Sequence, residues 1–103
     1  MRMRSLCYSI LSMLIFFLGS SVAYTIELTE GAMLSNSCAA CHGTDGNSPG
    51  AIPSIKGKSA SFITQALKEF RDDKRPSTVM GRHAKGYSDE EIQLIANHFA
   101  KLK

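Results

Sequence analysis

The chain has 103 residues, 12 of them Lys or Arg and 9 of them Asp or Glu, which gives a formal net charge of +3 at pH 7. That length accommodates one small domain and no more. The positive charge gives no basis for a nucleic-acid partner, because Arg2 and Arg4 lie in a segment that we expect to be removed.

Residues 1–23 have the pattern of a secretory signal peptide. A basic start is followed by an apolar stretch over residues 6–18 and then by small residues up to Ala23. A retained membrane anchor is the weaker interpretation, because a membrane-spanning helix needs roughly 20 apolar residues and this stretch is shorter. We therefore expect cleavage after Ala23, which would leave residues 24–103 as a periplasmic domain without a membrane span.

A first helix is predicted over residues 27–41, with Thr29 as its candidate N-cap. One face of this helix, at helical spacing, carries Met33, Leu34, Ser37, Cys38 and Cys41. Met33 is therefore expected to be a core residue, the usual place of a methionine.

Residues 38–42 read CAACH, the pattern of covalent haem attachment. Two thiols one helical turn apart can reach two vinyl groups on one edge of a porphyrin, and the following residue brings an imidazole under the iron. The pattern predicts a single haem c, attached covalently through Cys38 and Cys41, with His42 as an axial ligand of the iron.

Three other interpretations of the two cysteines remain open at this point. A redox C-x-x-C motif would be expected near a strand–helix–strand pattern, and no strand is predicted. A zinc site needs four ligands, but the remaining histidines, His83 and His98, are far away in the sequence. A structural disulfide, common in exported proteins, does not account for His42.

Loop and helix patterns alternate over the rest of the chain. Residues 42–57 have loop composition, 59–71 predict a second helix, and 72–86 are mostly loop. The last helix begins with a capping box formed by Ser88 and Glu91. Its apolar face consists of Ile92, Ile95, Ala96, Phe99 and Leu102. These elements predict an all-α fold in which a few helices and loops surround one covalently attached haem.

Met80 is the candidate for the second axial ligand of the iron. It lies in a loop, which can carry a side chain to the haem face opposite His42, and a thioether ligand raises the reduction potential. A core position is the alternative for this methionine. His83, three residues later, is a rival ligand, and His/His ligation would lower the potential.

Taken together, CAACH, the segment IPSIKG at residues 52–57 and a methionine before the last helix resemble class I cytochromes c. Residues 75–91 are similar to the cytochrome subunit of flavocytochrome c sulfide dehydrogenase, here in a single-haem form. The resemblance implies that Met80 supplies the axial sulfur. It also implies that the carbonyl group of Pro53 accepts a hydrogen bond from the His42 ring, which would fix the ring.

The same resemblance implies one-electron transfer as the function. The chain would be the electron-accepting subunit of a complex in which a separate FAD-containing flavoprotein oxidises sulfide, and it would not be catalytic alone. The main alternative is a freely diffusing periplasmic carrier like cytochromes c4, c5 and c-553, with another redox protein as partner. A haem-based ligand sensor would need an open sixth coordination site, which a bound Met80 would deny.

Charge is unevenly distributed along the sequence. Residues 56–85 contain eight basic and three acidic side chains, whereas acidic residues predominate in the rest of the domain. This distribution predicts either a positive surface that steers an acidic partner or an ordinary solvated surface.

Overall fold

The computed structural model describes residues 29–102, so the predicted signal segment lies outside the described residues. The described part contains five helices: α1 (Glu30–Leu34), α2 (Asn36–His42), α3 (Ala60–Arg71), α4 (Met80–Ala84) and α5 (Asp89–Lys101). Residues 29–102 contain no strand, and the predicted all-α fold is confirmed for them. Each of these helices falls short of the length and apolar character needed to cross a membrane.

The first predicted helix is two helices in the structure, separated at Ser35. Thr29 caps α1 as predicted, because its hydroxyl accepts the Ala32 N–H at 3.3 Å. At Ser35 the backbone has φ −75° and ψ −9°. This ψ differs from the value of about −42° in a regular α-helix, so the helix is interrupted there. The Ser35 side chain is buried, and its hydroxyl has no hydrogen-bond partner within residues 29–102.

Helix α5 packs against both α1 and α3 and supplies most of the core. Four of the five residues of its predicted apolar face are buried, and the fifth, Leu102, follows the helix and is half-buried. The buried core consists of Ile63, Leu67, Ala84, Ile92, Ile95, Ala96 and Phe99. Gly31 allows α1 to cross closely, because a Cβ atom there would lie 2.7 Å from the carbonyl oxygen of Leu94. The core position expected for Met33 is wrong: that side chain is 58% exposed, because α1 turns Gly31 rather than Met33 towards α5.

Two further local features bear on the sequence predictions. The capping box of α5 is present, since Ser88 and Glu91 each accept the other's backbone N–H. Met80 begins the short helix α4, although its segment was predicted as mostly loop. A one-turn helix is too short for apolar periodicity to mark it. Ser77 accepts the Gly81 N–H at 2.9 Å and helps to hold that turn.

Candidate functional site

Helix α2 carries both thiols and the imidazole of the CAACH motif. Cys38 is half-buried and Cys41 is exposed, and both are free cysteines. His42 is the last residue of the helix, and Gly43 ends it with φ 88°, a backbone conformation that favours glycine. The helix therefore places the three groups within its last turn and a half.

A cleft of about 650 Å³ lies between α2, α3 and α4, within the range of roughly 300–1,000 Å³ found for small-molecule and cofactor sites. Its walls include Cys38, Cys41, His42, Phe62, Phe70 and Met80. Helices α2 and α4 do not pack against each other in the described part of the chain, and both line this cleft. The structure therefore brings the residues of the CAACH motif and Met80 to one cavity.

His42 is oriented by a hydrogen bond to the loop that follows α2. Its Nδ1 lies 2.5 Å from the carbonyl oxygen of Pro53. Because a carbonyl oxygen can only accept, Nδ1 must carry the hydrogen and donate it. In this tautomer Nε2 keeps a free lone pair, which is the form of imidazole that binds a metal.

Burial of Cys38 argues against a reactive dithiol. Desolvation is the largest influence on this thiol, and it raises its pKa. Redox C-x-x-C motifs instead depend on a thiol with a lowered pKa, because the thiolate is the nucleophile. Within residues 29–102 no three His, Cys, Asp or Glu side chains are grouped to hold a metal ion, as a zinc site would require.

Met80 and His83 both line the cleft from α4. They are three residues apart, so they lie on one face of the helix. Met80 is half-buried and packs against the core, whereas His83 is exposed. His98 lies on α5 outside the residues that line the cleft, with its ring edge-to-face on Phe99 at 5.3 Å.

The walls of the cleft fit a large flat apolar group. Three large apolar side chains that line it remain substantially exposed: Ile52 at 40%, Phe62 at 47% and Val79 at 52%. Among residues 29–102 no Asp or Glu lines the cleft, whereas Lys58 and Arg75 do. Thiols for covalent attachment, an imidazole with a free nitrogen, apolar walls and nearby cations together suit a haem and its carboxylates.

The basic region at 56–85 is largely neutralised by ion pairs. Six of its eight cations are paired: Lys56 with Asp45, Lys68 and Arg71 with Asp89, Lys74 with Asp72, Arg75 with Glu69, and Lys85 with Asp73. Lys58 and Arg82 make no ion pair within residues 29–102. Asp45 and Asp89, which the charge distribution assigned to an acidic side, lie against the basic region. The six paired cations share five carboxylates, so the predicted positive surface is reduced to a net charge of three.

Two side-chain contacts at or near the site have no signal in the sequence. Arg75 reaches the cleft while its Nε and Nη2 donate to Glu69 at 2.8 and 2.7 Å, and its guanidinium lies 5.4 Å from the centre of the Phe70 ring. Tyr87 forms a hydrogen bond with Ser37, fifty residues earlier in the chain. Neither contact follows from spacing or periodicity. The contacts of Arg75 depend on how the loop after α3 turns back on the helix, and the contact of Tyr87 depends on how the helices pack.

Comparison with known proteins gives consistent matches. The family model described as cytochrome c matches residues 28–103. The chain is 61% identical to the cytochrome subunit of sulfide dehydrogenase from Chlorobaculum tepidum, over 72% of this chain and 67% of that protein. It is 39% identical to cytochrome c-554(548) from Halomonas halodenitrificans, over 61% of this chain and 81% of the relative. It is 36% identical to cytochrome c-553 from Nitratidesulfovibrio vulgaris, over 71% of this chain and 76% of the relative.

Proposed function

This chain belongs to the cytochrome c family, and we propose that it is the electron-accepting subunit of a sulfide-oxidising flavoprotein complex. Its cofactor is covalently bound haem c, which supplies one-electron transfer between ferric and ferrous iron. The subunit role is supported by the 61% identity to a cytochrome subunit of sulfide dehydrogenase. In this role the chain holds and insulates the haem, and a separate protein with FAD carries out the oxidation.

The proposed ligand assignment rests on one observation, the cleft that α2 and α4 line together. Cys38 and Cys41 would form the thioether bonds, and Nε2 of His42 would bind the iron from the α2 side. Met80 would supply the sulfur ligand from α4. The hydrogen bond from His42 to Pro53 supports this role, because it fixes the ring and makes the imidazole a stronger ligand.

The remaining residues of the cleft tune the site rather than react. Apolar walls that include Ile52, Phe62 and Val79 exclude water, which lowers the local dielectric constant and limits access to the iron. Lys58 brings positive charge to the cleft, whereas Arg75 is paired with Glu69. The charge of Lys58 favours the reduced state of the iron over the more positive oxidised state.

The ligand assignment is tested with Met80→Ala in the ferric haem-bound protein. We expect the weak near-infrared band of iron–sulfur bonding to disappear, the reduction potential to fall, and cyanide to bind rapidly. His83→Ala is the matched control, because it removes another potential ligand from the same helix face. If His83→Ala abolished the band and Met80→Ala left it intact, the assignment would be wrong and a ligand-sensing function would gain support.

A freely diffusing electron carrier is the second candidate function. Lys58 and Arg82 have no ion pair within residues 29–102, and such cations favour brief, electrostatically steered encounters. Purification from the native host distinguishes the two candidates. A co-purifying protein with an FAD spectrum supports the subunit, whereas a haem protein that elutes alone at low and moderate salt supports the carrier.

We also propose export to the periplasm with cleavage after Ala23. The family match begins at residue 28, after this site, and so leaves the whole cytochrome domain in the mature chain. Mass spectrometry of the haem-bound protein provides the test. A mature chain that begins at Tyr24 agrees with the proposal, and a chain that retains residues 1–23 would contradict it.

A further inference from the structure

One hydrogen bond connects the helix of the CAACH motif to the segment that follows the helix of Met80. The hydroxyl groups of Ser37 and Tyr87 lie 2.8 Å apart. No other hydrogen bond between residues 29 and 102 joins 36–42 to 80–88. We propose that Tyr87 is a positioning residue, whose hydroxyl holds α4 at the distance from α2 that keeps Met80 on the iron. This inference rests on the proposed ligation by His42 and Met80.

The position of Tyr87 is fixed by three other helices. Its N–H donates to the carbonyl oxygen of Ala84 at the end of α4, and its carbonyl accepts from Nη1 of Arg71 on α3 at 3.4 Å. The next residue, Ser88, is the N-cap of α5. The Tyr87 ring is half-buried and packs against the core. Because these contacts fix the backbone and the ring, the hydroxyl presents a defined anchor to α2.

Helix α4 packs against α3 and is held at its first turn by the bond from the Gly81 N–H to Ser77, but neither contact joins it to α2. It has five residues, far fewer than an isolated helix requires for stability, and Val79 at its N-cap makes no side-chain hydrogen bond. Its ion pair, Lys85 with Asp73, joins side chains that are 53% and 71% exposed, so it contributes little. Ala84 is fully buried at the end of the helix that Tyr87 follows, and Met80 lies one helical turn before it. A shift of this end relative to α2 would therefore be carried along the turn to Met80.

Loss of the Tyr87 hydroxyl should increase the fraction of time during which the sulfur of Met80 is off the iron. The removed hydrogen bond is exposed, so water can replace part of it. We therefore expect an increase of about two- to tenfold in the open fraction, as the net loss of one hydrogen bond gives. An external ligand that binds only the open form, such as cyanide, should report this increase as a faster rate.

The experiment uses the ferric haem-bound protein with Tyr87→Phe, Ser37→Ala and the double variant. Each single variant should raise the rate of cyanide binding by about two- to tenfold. The double variant should be no faster than the faster single variant, because both changes remove the same bond. On heating, the near-infrared band should be lost at a lower temperature in Tyr87→Phe, while the far-ultraviolet signal of the helices should move less.

Thr64→Ala is the matched control, because Thr64 forms an exposed bond with Gln93 between α3 and α5, away from the cleft. This variant should leave the rate of cyanide binding unchanged. Unchanged rates in both Tyr87→Phe and Ser37→Ala, or effects that multiply in the double variant, would overturn the proposed role of Tyr87. They would leave the proposed ligation by Met80 unaffected. If the unmodified protein lacks the near-infrared band, ligation by Met80 fails, and the role of Tyr87 fails with it.

Discussion

The apolar face of α5 and the apolar wall of the cleft are made of similar residues, yet their environments differ. On α5, Ile92 and Ala96 are both 0% exposed. In the cleft, Phe62 and Val79 remain 47% and 52% exposed, although large apolar side chains are usually buried. The difference shows that the chain completes one half of its core by itself. The other half is covered by the haem, which is not part of the polypeptide chain.

The comparison implies that folding and haem attachment are coupled. A domain of this size buries too little apolar surface to be more than marginally stable, and a group that binds only the folded state adds to its stability. The packing of α1, α3 and α5 should therefore be necessary but insufficient for a stable fold. Four experiments test this division, in order of decreasing expected effect.

The largest effect is expected from removing the attachment chemistry. The double variant Cys38→Ala, Cys41→Ala should retain no haem after acid–acetone extraction, and the haem-free chain should be largely unfolded by far-ultraviolet circular dichroism. Haem that stayed covalently attached to this variant would refute the attachment assignment. If the haem-free chain unfolded cooperatively near the unfolding temperature of the haem-bound form, the packing of α1, α3 and α5 would be sufficient for a stable fold.

A smaller effect is expected within the completed half of the core. Ile92→Ala should lower the free energy of unfolding by about 2–5 kcal/mol, because it leaves a cavity in a fully buried site. Guanidinium unfolding of the haem-bound protein measures this change, and Met33→Ala, at a 58% exposed site, is the control with an effect within about 0.5 kcal/mol. Equal effects of the two substitutions would contradict the assignment of α5 to the core.

Acid should weaken the ion pairs that connect α3 to α5. Hydrogen bonds from Lys68 and then from Arg71 lower the pKa of Asp89. A carboxylate with a lowered pKa in the folded state stabilises the fold above its unfolded pKa of about 4, and this contribution is lost as the pH falls through the folded value. Unfolding measured from about pH 6 to 2.5 should therefore show a shallower decline for Asp89→Asn than for the unmodified protein.

Glu90→Gln is the control for this measurement, because Glu90 is in the same first turn of α5 and has no ion pair among residues 29–102. Its pH profile should follow that of the unmodified protein. Identical slopes for Asp89→Asn and Glu90→Gln would mean that the bridge between α3 and α5 contributes nothing measurable. Because the groups are exposed, the effect should be smaller than that of Ile92→Ala.

The smallest effect on the fold is expected from the two unpaired cations. Because Lys58 also lines the cleft, the salt-dependent part of the change in rate reports association. Lys58→Glu with Arg82→Glu should slow electron transfer with a diffusing partner at low salt. Raising the salt from about 0.01 to 0.1 M should reduce the difference, because the Debye length falls from about 30 to 10 Å. Stopped-flow reduction measures both rates. Lys101→Glu is the control for each single reversal, because it makes the same change of charge outside residues 56–85 and away from the cleft.

A permanently bound subunit should respond differently to the same salt series. Electron transfer inside a stable complex needs no encounter, so its rate should hardly change with salt. Salt-independent transfer within a flavoprotein complex therefore supports the subunit role. A steep salt dependence without a stable complex supports the diffusing carrier.

Local features of the fold could be predicted from the sequence, and features set by packing could not. The capping box of Ser88 and the apolar period of α5 depend on neighbouring residues, and both predictions are confirmed. The break at Ser35 and the exposure of Met33 depend on how α1 crosses α5, which no local pattern specifies.

The same distinction holds for the candidate site. The CAACH motif is contiguous, so spacing alone pointed to Cys38, Cys41 and His42. Met80 was proposed as a ligand from ligand chemistry and its position in the chain, and it remains a prediction. The structure has a helix there and not a loop. The bond between Ser37 and Tyr87 joins residues fifty positions apart, so no local pattern predicts it. The ion pair of Arg71 and Asp89 likewise joins the basic region to an acidic residue outside it.

The close crossing at Gly31 also limits how this sequence can diverge. Any other amino acid would place a carbon 2.7 Å from the carbonyl oxygen of Leu94, and backbone atoms cannot move aside as a flexible side chain can. A codon change that replaces Gly31 must therefore separate α1 from α5, which shifts the start of α2 as well. Distant descendants that keep this crossing should keep glycine here, even where surrounding surface residues have been replaced many times.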